Sequence, residues 1–289
     1  MSSTQRPVAV LGAGLLGAAM ATRLGERGHD VRLWNRSPEK AEAAAAGPVR
    51  PVADLAEAVD GAGVVLTVLR DGDAVAEVAE RFLPRLGDGA VWVQASTVGP
   101  AAADRLRAMA ESAGRAVLDA PVSGSTTPAR QGALTWLVSG DPAALERARP
   151  VLDDLGQRVL HVGGASEGSA LKLVVNAWMT GATAVMADSL ALAATLGIDP
   201  EDLLGVLDGG PLGMPYALTK AQMMRGASSG GGYPAGFPAE LALKDLDLAA
   251  AGGVLPGSLE PVRERLRALV DAGHGRDDVA VLAERGQGE

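Results

Sequence analysis

Residues 163–196, GGASEGSALKLVVNAWMTGATAVMADSLALAATL, form an apolar stretch long enough for one helix of unusual length. Small residues are interspersed with leucine, valine and methionine, which favours close packing against neighbouring helices. Strands and helices alternate before this stretch, and only helical patterns follow it. The stretch therefore divides the chain into an α/β part and an all-helical part.

Lys172 and Asn176 lie four residues apart in this stretch, so a helix places them on the same face. One interpretation is structural: a lysine that extends its ammonium to solvent and an asparagine that bonds to a loop. The other is chemical, because a desolvated lysine has a lowered pKa that suits proton transfer, and an amide beside it can hold a substrate. The rest of the chain decides between the two.

Composition narrows the function classes. The 289 residues carry a net charge of −9, which argues against nucleic acid or an anionic membrane as the main partner but leaves a local basic pocket open. Cysteine is absent, which excludes disulfides, thiolate catalysis and cysteine-based metal sites. We expect a soluble cytoplasmic protein, because the N-terminal residues lack a signal-peptide pattern and charged or polar residues interrupt the long helix.

A short apolar run, residues 7–11, is followed directly by a glycine turn, then by a helical pattern and a second strand at 31–35. This order is the context in which a G-x-G-x-x-G turn binds a dinucleotide. Its first glycine allows the tight turn, the second allows a pyrophosphate to approach, and the third lets helix and strand pack closely. The predicted cofactor-binding residues of this turn are Gly12, Gly14, Leu15, Leu16 and Gly17.

The end of the second strand selects the cofactor. An acidic residue there would bind the ribose hydroxyls of NAD, but this chain has Asn35, Arg36 and Ser37, with Lys40 one turn later. A guanidinium and a hydroxyl suit the 2′-phosphate of NADP. We therefore expect NADP(H) to be preferred over NAD(H); the alternative is that Arg36 is a solvated surface charge.

The alternation of strands and helices predicts a doubly wound parallel sheet of the Rossmann type, with ligands at the carboxyl ends of the strands. We expect an NADP-binding domain over residues 1–163 and an all-helical substrate and oligomerisation domain over 164–289, in which 164–196 is the interdomain helix. The cleft between them is the expected active site. Later helices are predicted near 200–208, 215–226, 238–252, 258–271 and 277–285. The glycine- and serine-rich segment 226–232 is a candidate lid or a plain disordered connection.

Other chemistries find less support. The three histidines, His29, His161 and His274, have no partner at a catalytic or metal-binding spacing, so we expect surface or packing roles and no metal. Ser123 lacks the G-x-S-x-G elbow of a hydrolase nucleophile.

Five motifs together resemble the β-hydroxyacid dehydrogenases, relatives of 6-phosphogluconate dehydrogenase, and the resemblance covers nearly the whole chain. The motifs are GAGLLG at 12–17, DAPVSGS at 119–125, GSALKLVVN at 168–176, FPAELALKDLDLA at 237–249 and, more weakly, GHGRDDVAVL at 273–282.

The resemblance implies a role for individual residues. Lys172 would be catalytic, and Ser123 and Gly124 would hold the substrate carboxylate. Ser125 stands where many members have a second glycine, which changes the carboxylate geometry. The other implied substrate-binding residues are Asn176, Phe237 and Asp245. The other implied cofactor contacts are Leu69, Thr97 and Lys244.

The leading hypothesis is an NADP-dependent reductase of small carboxylated aldehydes that also works as a 3-hydroxyacid dehydrogenase. Lys172 would stabilise the developing alkoxide and give it a proton. One alternative is an imine reductase on the same fold, although such enzymes usually have Asp or Tyr in place of Lys172. A second is a binding module that keeps the nucleotide and has lost catalysis. We expect a homodimer or homotetramer.

Overall fold

The computed structural model describes residues 6–227, 232–233, 236–253 and 255–284. The chain divides into two compact units, and the boundary in the sequence falls between Lys172 and Leu173. The boundary predicted from sequence, 163/164, lies shortly before this division. The candidate lid lies largely outside the described residues, since 228–231 are among those not described.

The first unit is built on a single sheet. Among the described residues its strands are β1 Val8–Leu11, β2 Val31–Trp34, β3 Val49–Val52, β4 Val64–Thr67, β5 Val91–Gln94, β6 Ala116–Asp119, β7 Val122–Ser123, β8 Leu134–Gly140 and β9 Gly156–Gly163. The order is β3-β2-β1-β4-β5-β6-β8-β7, and β9 pairs with β8. The central strands are short runs of buried apolar residues, as expected where both faces of a sheet are covered.

Helices cover both faces of this sheet. They are α1 Leu15–Glu26, α2 Pro38–Ala44, α3 Leu55–Val59, α4 Gly72–Phe82, α5 Pro100–Ser112, α6 Thr126–Gln131 and α7 Pro142–Leu155. Because side chains alternate along a strand, Val8 and Val10 pack into one core with α1 and α7, whereas Ala9 and Leu11 pack into a second core with α3, α4 and α5. The predicted doubly wound fold class is confirmed.

The parallel arrangement holds for one side of the sheet and fails at the other. Strands β1 to β6 pair in parallel, but β8 runs antiparallel to both β6 and β7. The predicted parallel arrangement therefore does not extend to this edge, because a hydrophobic pattern does not encode strand direction. The sequence also missed β3, which contains Pro51, and the two-residue β7, which is too short for a periodic signal.

The second unit is helical. The predicted interdomain helix is α8 Glu167–Thr195, which begins in the first unit and continues into the second. The other helices are α9 Pro200–Leu207, α10 Pro215–Gly226, α11 Ala239–Ala250 and α12 Leu259–Asp271. Their buried apolar residues form one core, which includes Ala184, Met224, Leu246 and Leu266.

The helix predicted over 277–285 is not formed. The described part of this segment, 277–284, contains only the short 3₁₀ turn Val279–Ala283, and another 3₁₀ turn, His274–Arg276, precedes it. Asp278 precedes the Val279–Ala283 turn, where its side chain accepts a hydrogen bond from the Ala280 N–H and its backbone bridges to Pro238.

By length and composition alone, α8 is apolar enough to cross a membrane. Buried polar side chains lie along one of its faces: Ser169, Lys172, Asn176, Thr180 and Thr183. Such a buried polar face is typical of a core helix, because polar groups are expensive in hydrocarbon.

Candidate active site

The glycine turn after β1 has the geometry that a dinucleotide requires. Gly12 has a φ of +121°, and a Cβ there would collide with the Val68 carbonyl oxygen. A Cβ at Gly17 would collide with the Gly12 carbonyl, so α1 packs tightly on the turn. Gly14 is the N-cap of α1, its side is open, and no side chain caps the helix. The first N–H groups of α1 are therefore available to a pyrophosphate.

The end of β2 lies against this turn. Asn35 Oδ1 accepts a hydrogen bond of 3.2 Å from the Ala13 N–H, and Asn35 Nδ2 donates to the Ser37 carbonyl at 3.2 Å. The side chain of Arg36 is 80% exposed and lies 4.0 Å from Glu77 Oε2. Ser37 precedes α2 without capping it. Arg36 and Ser37 therefore flank the turn with side chains that are accessible to a phosphate.

A buried hydrogen-bond network joins the carboxyl ends of β4 and β5. Ser96 Oγ accepts from the Leu69 N–H at 2.9 Å, and Gln94 Oε1 accepts from the Ser96 N–H at 2.7 Å. Gln94 Nε2 returns a bond to the Ser96 carbonyl at 2.9 Å. This network fixes the predicted cofactor contact Leu69, and the other, Thr97, directly follows Ser96 at the adjacent strand end. Ser96 was not among the site residues predicted from the sequence.

The predicted carboxylate-binding segment forms a turn after β7. Ser123 ends β7 and pairs with Thr135 of β8, while Gly124 follows with a φ of +122°. Ser125 is the extended residue before α6, and its side chain does not cap that helix. The three residues therefore lie together in an irregular turn, and their substrate contacts remain predictions.

The start of α8 is held by Asp119 at the end of β6. Asp119 Oδ2 accepts from the Ser169 N–H and Oδ1 accepts from Ser169 Oγ, both at 2.7 Å. Burial raises the pKa of Asp119 to about 6, and the bonds from Ser169 and Ser139 oppose that rise. Lys172 follows three residues after Ser169 and is 9% exposed. The sequence marked Asp119 only as the first residue of a motif.

Asn176 and α11 meet in the second unit. Asn176 is 2% exposed, and its Nδ2 donates to Asp245 Oδ2 at 2.5 Å. Lys244 Nζ lies 2.8 Å from Asp245 Oδ1 in an ion pair that is not aligned as a hydrogen bond. The structure thus brings together three of the predicted site residues. Because α8 is continuous, Lys172 lies on the same helical face as Asn176.

A second carboxylate, missed by sequence interpretation, orders the segment before α11. Asp278 is fully buried, and its Oδ2 accepts from the N–H groups of Gly236 and Phe237 at 2.9 and 2.8 Å. Its Oδ1 lies 2.6 Å from Nζ of the buried Lys220. Phe237, a predicted pocket residue, is therefore positioned by Asp278. The only sequence signal was the weak motif at 273–282.

Each histidine contacts a nearby polar group. His29 Nε2 lies 2.8 Å from Asp154 Oδ2, His161 Nε2 lies 2.9 Å from the Gly140 carbonyl, and His274 Nδ1 lies 2.7 Å from Asp277 Oδ2. Within the described ranges, no three His, Asp or Glu side chains are grouped as metal ligands would be.

Comparison with known proteins assigns both parts of the chain. Residues 7–163 match the family model of the NAD binding domain of 6-phosphogluconate dehydrogenase. Residues 166–284 match the model described as NAD-binding of NADP-dependent 3-hydroxyisobutyrate dehydrogenase. The first match alone covers more than half of the chain.

Similar proteins share this organisation. The structure of 3-hydroxyisobutyrate dehydrogenase from Mycobacterium tuberculosis with L-serine matches with a TM-score of 0.85 at 30% identity, over 97% of this chain and 98% of that one. The NAD-dependent L-serine dehydrogenase of Pseudomonas aeruginosa is 29% identical over 96% of both chains. An imine reductase from Myxococcus stipitatus in complex with NADP+ matches with a TM-score of 0.64 at 25% identity, over 96% of this chain and 98% of that one.

Proposed function

This chain belongs to the β-hydroxyacid dehydrogenase family, and we propose that it is an NADP-dependent oxidoreductase that interconverts a small 3-hydroxy acid and its semialdehyde. In this proposal Lys172 is the general acid and base. Asn176 and the turn Ser123–Ser125 hold the substrate.

The burial of Lys172 and Asn176 on one face of α8 carries this proposal. Burying an amine and an amide costs free energy that hydrogen bonds or charge pairing must offset, and groups held at such a cost are typical of functional sites. In the reducing direction, the carbonyl carbon gains a hydride, the carbonyl oxygen becomes an alkoxide, and Lys172 gives that oxygen a proton. In the oxidising direction Lys172 accepts the hydroxyl proton as the hydride leaves. Asn176 contributes hydrogen bonds without a competing charge.

The residues of the glycine turn fit a dinucleotide, because α1 begins there without a side-chain cap. When bound, the nicotinamide cofactor supplies or accepts the hydride. Arg36 is exposed at the end of β2, where it can pair with a 2′-phosphate, and no carboxylate directly follows β2 to repel one. These two features support NADP over NAD, although the Pseudomonas relative is described as NAD-dependent.

A panel of substrates tests the function. NADPH oxidation would be followed with glyoxylate, succinic semialdehyde, methylmalonate semialdehyde, tartronate semialdehyde and one cyclic imine, and then repeated with NADH. The reverse reaction would be followed with L-serine and 3-hydroxyisobutyrate. We expect turnover of a semialdehyde with NADPH. Faster turnover with NADH would contradict the cofactor proposal, and binding of NADPH without turnover would favour a non-catalytic role.

An imine reductase is the second candidate, because the Myxococcus enzyme shares the architecture. Imine reduction consumes a hydride and a proton as well, but its substrate has no carboxylate for the turn Ser123–Ser125 to bind. Turnover of the cyclic imine alone would favour this candidate and remove the role proposed for the turn.

We also propose that the chain forms a homodimer or homotetramer in the cytoplasm. Apolar side chains that are about 60% exposed recur along one face of α8, at Val174, Trp178, Val185 and Leu192. A contiguous apolar face of this kind is typical of a protein–protein interface. Association through it would cover these side chains.

A further inference from the structure

We propose that Asp119 is a positioning residue that fixes the first turn of α8 on the sheet and thereby places Lys172 for proton transfer. This inference rests on the proposed function, in which Lys172 is the acid and base. It assigns to Asp119 an effect on the reaction through Lys172.

The hydrogen bonds at the start of α8 carry the inference. The first N–H groups of a helix have no partner within the helix. Here the Ser169 N–H donates to Asp119 Oδ2, and the Gly168 N–H donates to Ser139 Oγ at 3.0 Å. Ser139 Oγ in turn lies 3.1 Å from the Ala165 carbonyl. Side chains of β6 and β8 therefore hold this turn, so its position is set by the sheet.

The backbone of α8 also lies very close to the sheet at this point. A Cβ at Gly168 would collide with the Leu137 carbonyl oxygen and would lie 2.9 Å from the Asp119 carbonyl oxygen. Lys172 follows Gly168 by four residues, which is about one helical turn on the same face. A displacement of the first turn of α8 would therefore displace Lys172 as well.

Asp119 differs from the other helix-capping aspartates of the first unit. Asp54, Asp71 and Asp141 each accept a bond from an N–H two or three residues later and are not buried. Asp119 is buried and lies 50 residues before Ser169. Burial raises its pKa to about 6, which shows that the charged form is held at a free-energy cost. Such a cost is typical of groups retained for a functional site.

The chemistry of a carboxylate suits this task. An ionised carboxylate only accepts hydrogen bonds, so its two oxygens can receive the N–H and the O–H of one residue at once. Its negative charge also lies at the positive end of the α8 dipole. Asparagine has the same shape: its oxygen can accept from the Ser169 N–H while its amide donates to Ser169 Oγ. It should therefore preserve the position without the charge.

Single-turnover hydride transfer with saturating NADPH tests the proposal in the full-length enzyme, using whichever semialdehyde it turns over. We expect Asp119→Ala to slow the step by ~10²-fold, since a displacement of about 1 Å in a catalytic group has effects of that size. Asp119→Asn should retain most of the rate. Asp141→Ala is the matched control, because it removes a helix cap at α7, and its rate should stay within about twofold.

A double-mutant cycle separates positioning from general damage. If Asp119 acts through Lys172, Asp119→Ala should cause no further loss in a Lys172→Ala background. A loss that multiplies in the double variant would overturn the proposal. If Lys172→Ala alone leaves the rate unchanged, the proposed function fails instead, so the two failures are distinguishable.

Amide hydrogen exchange gives a measurement that is independent of activity. Exchange at residues 168–172 should accelerate in Asp119→Ala and remain unchanged in Asp141→Ala. Should Asp119→Ala fail to fold, Ser169→Ala provides the second variant, because it removes the 2.7 Å bond from the hydroxyl and keeps the backbone. Unchanged exchange together with an unchanged rate in either variant would refute the positioning role.

Discussion

At the scale of single residues, the proposed chemistry depends on charged groups in contrasting environments. Lys172 and Asp119 are buried, whereas Arg36 is 80% exposed. Burying Lys172 and Asp119 costs free energy of desolvation, so replacing either residue tests whether it contributes to the reaction. In the proposal, Arg36 affects the reaction by contacting the bound cofactor.

Lys172→Ala should fold normally, bind NADPH and lose ~10²–10⁴-fold in turnover, because general acid catalysis contributes that much. Lys172→Arg keeps the positive charge but cannot release a proton near neutral pH, so it should also be slow. Steady-state turnover, cofactor titration and circular dichroism check these points. Near-normal turnover of the alanine variant would remove Lys172 from the mechanism.

Arg36→Ala should weaken NADPH binding by about 10- to 100-fold, since a hydrogen bond to a charged group contributes about 1.5–3 kcal/mol. NADH binding should change little, because NADH has no 2′-phosphate. Fluorescence titration with both cofactors measures the difference. Arg50→Ala, an exposed arginine on β3 paired with Glu57, is the control. Equal weakening of both cofactors would show that Arg36 does not contact the phosphate.

The raised pKa of Asp119 predicts a pH dependence of stability. Its pKa is about 6 in the folded chain, above the ordinary aspartate value of 3.8 expected in the unfolded chain, so the folded state binds the proton more tightly. The resulting stabilisation is fully present below pH 4 and is lost as the pH rises through 6. It amounts to at most about 3 kcal/mol, at 1.36 kcal/mol per pKa unit.

Urea unfolding at pH 4.5 and pH 7 measures this term. The unfolding free energy at pH 4.5 minus that at pH 7 should be smaller in Asp119→Asn than in the wild type, because protonation of Asp119 stabilises the folded chain only at the lower pH. Asp104→Asn is the control, because the charge of Asp104 is the weakest of the causes that act on the pKa of Asp119. The same pH dependence in wild type and Asp119→Asn would contradict the raised pKa.

At the scale of elements, α8 combines two opposite faces. At 3.6 residues per turn, the buried polar residues from Ser169 to Thr183 lie on one side, and the exposed apolar residues from Val174 to Leu192 lie on the other. This is the reverse of an ordinary surface helix. The buried polar side includes the proposed catalytic residues, and the exposed apolar side is free for association.

The segment before α11 depends on the buried pair Lys220–Asp278. Asp278→Ala should destabilise the protein by about 3–5 kcal/mol, because it leaves a buried lysine without its carboxylate. Denaturant unfolding measures the change. The exposed pair Arg50–Glu57 is the control, and Glu57→Ala should cost less than about 1 kcal/mol. Equal effects of the two substitutions would show that the buried pair contributes no more to stability than the exposed pair.

At the scale of the whole molecule, the chain comprises an α/β unit and a helical unit that share one long helix. Both units match domain models of the same enzyme family. The exposed apolar face of α8 belongs to this scale, because association with a second molecule would cover it.

Replacing Trp178 and Val185 together by glutamate should shift the protein to a smaller species in light scattering after size exclusion. Burying two carboxylates in an apolar interface is strongly unfavourable. Ala108→Glu, on the exposed side of α5, should leave the mass unchanged. An unchanged oligomeric mass in the double variant would exclude this face as the interface.

The sequence by itself determined the family, the doubly wound unit, the glycine turn and the long helix. These features are local, since they depend on hydrophobic period, glycine spacing and motif order along the chain. The common face of Lys172 and Asn176 likewise follows from their four-residue spacing alone, because a helix repeats about every 3.6 residues.

The tertiary structure alone decided the direction of β8, the buried contacts of Asp119 and Asp278, and the absence of a helix after 277. Asp119 contacts Ser169 across 50 residues, and Asp278 reaches Lys220 across 58. Nothing in the spacing of such pairs marks them, because each pairing arises only when the sheet and helices have packed. The physical reason is that buried polar groups must find partners wherever the fold places them.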